Sequence, residues 1–107
     1  MTGYIQVITT TGTRAEADKI TRLLVERRLA ACVQVLGPIE SVYRWQEKIE
    51  TSQEWHCLIK SKQSQFPAVE QAIREVHSYE VPEIIALPIT AGDPAYLKWL
   101  HDEVRDD

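Results

Sequence analysis

The side chains best equipped for chemistry gather in His77-Ser78-Tyr79-Glu80-Val81-Pro82-Glu83, just ahead of the apolar run Ile84-Ile85-Ala86-Leu87-Pro88-Ile89-Thr90. An imidazole, a phenol and two carboxylates offer metal ligands, a proton donor and hydrogen-bonding groups. A polar tip that feeds into a strand is how a rigid scaffold aims such groups. Each residue also has an ordinary reading. His77 follows a helical pattern, and at a helix C-terminus the partial negative charge favours its protonated form without any further role. Glu80 and Glu83 flank Pro82 as loop carboxylates that water would solvate, and Tyr79 suits a packed aromatic.

Other candidates carry less. Thr11-Gly12-Thr13-Arg14 could cradle an oxyanion at a helix start, but a capped helix accounts for it equally well. His56, His77 and His101 show no His-x-x-x-His spacing, and no nucleophile–base–acid set can be built. Cys32 and Cys57 have no CxxC spacing and read as two buried free thiols. The chain is therefore not read as an enzyme. An RNA-recognition domain would need stacking aromatics in a glycine-rich basic signature, which Glu54-Trp55-His56-Cys57-Leu58-Ile59-Lys60 lacks.

The elements that must position the tip follow from periodicity. Tyr4 to Thr9 is a β-branched strand. Thr13-Arg14-Ala15-Glu16 fits a capping box, and Ala17, Ile20, Leu23 and Leu24 continue at helical spacing toward Leu29. Ala30 to Leu36 is nearly all apolar and reads as a central strand, broken or bent by Gly37-Pro38. Residues 39–62 form a long β-hairpin turning at Gln46-Glu47-Lys48. It exceeds the usual strand of about five to six residues, and its aromatics, Tyr43, Trp45 and Trp55, suit a subunit contact. A second helix starts at Ser64 with Pro67 in its first turn, its apolar stripe being Phe66, Val69, Ile73 and Val76. Glu83 to Thr90 is the last core strand. Asp93-Pro94 opens a third helix with Tyr96, Leu97, Leu100 and Val104 on its buried side.

The order β-α-β-β-α-β places two helices on one face of an antiparallel sheet. The fold class is α+β, a ferredoxin-like sandwich with a long β-hairpin and an extra C-terminal helix. The 107 residues read as one domain, 1–107, large enough for a single core. A net charge of −4 argues against nucleic-acid binding. No run approaches the roughly 20 apolar residues of a membrane span, and the first residues lack the pattern of an export signal. The expected location is cytoplasmic.

Read together, Ala30-Ala31-Cys32-Val33, Tyr43-Arg44-Trp45 with Lys48-Ile49-Glu50, Leu58-Ile59-Lys60, the 77–89 stretch and Tyr96-Leu97-Lys98-Trp99-Leu100 resemble the CutA divalent-cation tolerance proteins. The matches run in order from about residue 4 to residue 104. The resemblance implies a ferredoxin-like subunit, a very stable homotrimer and a link to tolerance of copper and other divalent metals. Departures bear on the site. This chain has Gly37-Pro38 where Pro-Gly is common, Glu47 where glycine precedes Lys48, and Ser78 where proline lies between His77 and Tyr79. The cysteine and second histidine of copper-binding members fall at Thr9 or a neighbouring threonine and at Val76, so only His77 of that set is kept.

Two functions compete. In the first, a metal-response trimer binds a divalent ion weakly through His77 with Glu80 or Glu83. Copper or zinc is then the one cofactor to test. In the second, a regulatory trimer similar in architecture to the P-II signalling proteins binds a small anionic ligand. Arg44, Trp45, Lys60, Tyr79 and Glu80 would meet in an intersubunit cleft to hold it. A scaffold without ligand is the remaining alternative.

Overall fold

The inner strands are the ones that look least apolar. In the computed structural model, which describes residues 2–106, β1 (Tyr4–Thr11) runs beside β3 (Lys48–Lys62) and β4 (Ile84–Pro88), and β2 (Cys32–Trp45) lies outside β3. The antiparallel sheet has the order β2-β3-β1-β4. α1 (Arg14–Glu26) and α2 (Phe66–Val76) lie across one face, and α3 (Pro94–Glu103) follows β4. This is the ferredoxin-like α+β arrangement expected from the element order.

The pleat explains which residues face the helices. Val7 pairs with Ile59 and Thr9 with Cys57, and Ile59 and Cys57 pair on their other side with Val33 and Val35. Alternation puts these on one face, where Val7, Thr9, Cys57 and Ile59 meet Ile20 and Leu24 of α1 and Val69 and Ile73 of α2, all fully buried. Thr10 and Thr11 are buried as well. Burial pushes the Cys57 thiol up to about 11, with a Thr21 hydrogen bond partly opposing the shift. Cys32, expected to be buried too, is half-buried.

Two strand assignments need correction. The stretches at 30–36 and 83–90 were expected to be a central and a core strand, yet β2 and β4 are the two edges. Leu36, Ile85 and Leu87 stand 51%, 46% and 47% exposed. Their register with His56, Ile8 and Gln6 puts them on the face opposite α1 and α2, which α3 touches near Tyr4 and Cys32. Hydropathy records that a side chain wants cover; it does not say whether the cover comes from its own chain. Similarly, Tyr96 of α3 is exposed rather than buried, and only Leu100 and Val104 of its expected stripe are fully packed.

Gly37-Pro38 does not end β2. The peptide is cis, the register shifts between Leu36 and Ile39, and the strand continues to Trp45. A Cβ at Gly37 would sit 2.4 Å from Trp55 Cδ1, so only glycine lets the backbone cross that indole. The hairpin then closes over two residues, Gln46 at φ 51° and Glu47 at φ 68°. Two successive positive φ values are the geometry that matches strand twist, and glycine is the usual second residue. Glu47 adopts it regardless.

Candidate functional site

His77 closes α2, its backbone N–H bonding Ile73 O at 2.9 Å. The chain then turns back over the end of β1. The side chain is 1% exposed. Its Nε2 lies 2.7 Å from Thr10 O and its Nδ1 is 3.1 Å from Tyr79 N. A backbone N–H only donates, so Nδ1 is the acceptor and Nε2–H the donor. Both ring nitrogens are thus engaged in holding the loop to β1. A metal could take Nδ1 only by displacing the Tyr79 N–H.

Glu16 secures the same loop. Thr13 Oγ1 caps α1 by accepting from Glu16 N at 3.1 Å, as the capping pattern anticipates. The carboxylate instead accepts from Ser78 N at 3.3 Å and Ser78 Oγ at 3.2 Å. Ser78 uses both its N–H and its hydroxyl in this tie.

Tyr79 reaches across to β3. Its hydroxyl donates to Glu54 Oε2 at 2.7 Å, and its ring leans on His77 with centroids 4.8 Å apart. Burial, then the hydrogen bond to Glu54 and that residue's charge, push the phenol well above its ordinary value. A Cβ at Gly12 would come within 3.1 Å of this hydroxyl.

Between this loop and the hairpin lies a cleft of about 660 Å³. Thr10 and Glu54 form its floor, Tyr43 and Trp45 of the hairpin one wall, and Tyr79, Glu80 and Glu83 the other. Of the seven side chains singled out from sequence, it brings together Trp45, Tyr79, Glu80 and Glu83. Arg44 is on the hairpin outside the lining. Lys60 is farther along the open sheet face, bonded to Gln34 Oε1 at 3.2 Å. His77 lies behind the wall. Among the described residues, no group of three or more His, Cys, Asp or Glu is placed to hold a metal ion.

Glu54 and Glu16 were not singled out. Glu54 alternates along β3 with Trp55, and its near-complete burial, at 7% exposed, is unexpected for a carboxylate. Its position on the polar side of a hairpin strand was the available signal; its burial depends on the loop folding over it.

The comparisons agree with this architecture. The model of the CutA1 divalent ion tolerance protein family matches residues 5–103. Protein CutA of Mus musculus is 48% identical over 85 residues, covering 79% of this chain and 48% of the mouse protein, so the chain spans about half that relative's length. The crystal structure of CutA from Xylella fastidiosa superposes with a TM-score of 0.93 at 39% identity, over 96% of this chain and 99% of that one. A structure from Archaeoglobus fulgidus, described as a periplasmic divalent cation tolerance protein CutA, gives 0.93 at 33% identity over 95% and 99%. With a family match across nearly the whole fold and close structural likeness, the chain belongs to the CutA1 divalent ion tolerance family.

Proposed function

We propose that the chain acts as a homotrimer in the response to divalent metal ions, without catalytic turnover. Glu80 and Glu83 would bind copper or zinc weakly at the mouth of the cleft. The observation that carries this reading is the sign of the cleft: Glu54, Glu80 and Glu83 line it, and among the described residues no lysine, arginine or histidine does. Carboxylates completed by water make a low-affinity, poorly selective site for such ions. His77 supports the loop that presents them.

The trimer accounts for the uncovered sheet face. Leu36, Ile85, Leu87 and Trp99 are all exposed, and apolar exposure on this scale marks an interaction surface. A second copy would also cover the hairpin's Ile49, 72% exposed. The two thiols are unpaired, which suits a reducing compartment, and the cytoplasm is the location we propose. Among the described residues no helix is long and apolar enough to cross a membrane. Within one subunit Arg44 and Lys60 are both outside the cleft lining, so the anionic-ligand alternative draws less support than the metal reading.

Calorimetry with copper and with zinc tests the metal site. Wild type should give a weak isotherm that the double variant Glu80→Gln/Glu83→Gln abolishes and His77→Ala largely keeps. Identical isotherms for wild type and the double variant would remove the site.

A further inference from the structure

We propose that the deep part of the cleft accepts an organic ammonium ion with an apolar body, its cationic nitrogen against Glu54 and its body against Trp45 and Tyr43. The inference shares the acidic cleft with the metal reading but neither its ligand nor its depth.

Glu54 is the starting point. It is 7% exposed, yet among the described residues no basic side chain forms an ion pair with it. Its side-chain hydrogen bond comes from a neutral phenol, to Oε2, and the residue lines the cleft. A carboxylate taken out of water needs a counter-charge, or several donors, to offset the lost hydration. The phenol cannot supply that charge, and its raised pKa keeps it a neutral donor. Glu80 and Glu83 deepen the negative potential, which favours a cation and rejects an anion.

The aromatics decide between a cation with a body and a bare metal ion. Tyr43 and Trp45 are 43% and 44% exposed on the cleft wall. Aromatic faces attract ammonium groups and also cover apolar carbon. A metal ion held at the depth of Glu54 would need several ligating atoms converging on it, and the described residues offer no group of three there. A volume of about 660 Å³ falls in the range of small-molecule sites, roughly 300–1,000 Å³.

The test compares three probes of similar shape and different charge. These are 2-phenylethylammonium, neutral 2-phenylethanol and anionic 3-phenylpropionate, each followed by calorimetry and tryptophan emission on the full chain. The ammonium should bind with a Kd of about 1 mM or tighter, and the other two at least about tenfold more weakly. Glu54→Gln should weaken the ammonium by about tenfold or more. Trp45→Leu, on the exposed hairpin, should weaken it and reduce the emission change even if Glu54→Gln fails to fold. Equal binding of all three probes would overturn the proposal. So would no ammonium binding up to about 10 mM, as when a basic side chain of a second copy already fills the place. A parallel zinc titration separates the two readings. Zinc binding without ammonium binding leaves the proposed function and removes this inference, and the reverse result does the opposite.

Discussion

On the side of the sheet that α1 and α2 cover, Val7, Cys57 and Ile59 are fully buried, whereas on the other side Leu36, Ile85 and Leu87 are about half exposed. The residue types are similar; the difference lies in what covers them. The covered side is closed within one chain and accounts for the subunit's own stability. The open side carries the same hydrophobic drive with α3 touching it only near Tyr4 and Cys32 among the described contacts, and it also carries the acidic cleft. The covered face is therefore built for folding, and the open face leaves apolar side chains that folding of one chain does not bury.

The largest expected effect is on the covered side. Ile73→Ala should cost about 2–5 kcal/mol in chemical denaturation, because it empties a fully buried site between α2 and the sheet. The same truncation at Ile85 should cost the isolated subunit under about 1 kcal/mol. Comparable losses at both positions in a monomeric state would break the contrast.

Next is the Tyr79–Glu54 link. Tyr79→Phe removes a hydrogen bond to a carboxylate and should cost roughly 1.5 kcal/mol. Two groups have folded pKa values raised above their ordinary ones. Cys57 moves from 9.0 to about 11, and Tyr79 rises from 10.0. For each, the stabilisation is fully present below the ordinary value and is lost as pH rises toward the folded one. Stability should therefore begin to fall above pH 9.0 and steepen above 10.0. In thermal melts across that range, Cys57→Ala should remove the earlier decline and Tyr79→Phe the later one.

The smallest effects are gains. Glu47→Gly should stabilise the hairpin by about 1 kcal/mol, since φ 68° costs a residue with a Cβ roughly that much. Thr9 Oγ1 is buried with no hydrogen-bond partner. Thr9→Val, of the same shape, should stabilise by about 1 kcal/mol in urea unfolding.

The parts of the fold legible in the sequence were those that local patterns determine. Thr13 and Asp93 signalled their helix starts and cap them as expected, and Pro67 lies in the first turn of α2. The two-residue turn at Gln46-Glu47 lay within the expected polar turn. Strand placement was less legible, because Ala30 to Leu36 and Ile84 to Thr90 are apolar enough for an interior while lying at the edges. Conversely, Thr9-Thr10-Thr11 looks like a strand end and is buried. Of the candidate site, the loop residues Tyr79, Glu80 and Glu83 were visible as a cluster. That His77 faces inward follows from the turn after α2, which brings Thr10 O and Tyr79 N to its two nitrogens. Glu54 comes from the far strand of the hairpin, and nothing in its local sequence marks it as the floor of a cleft.

The contrast between the faces is tested most directly by the solution mass of the full chain and of a variant with a charge on the open face. Leu58 pairs with Ile8 on that face, so Leu58→Glu places a carboxylate in the middle of the uncovered apolar surface. Light scattering coupled to size exclusion should give the mass of three chains for wild type and of one folded chain for the variant, with its circular dichroism retained. A wild type at the mass of one chain, or a Leu58→Glu variant still at three, would contradict it.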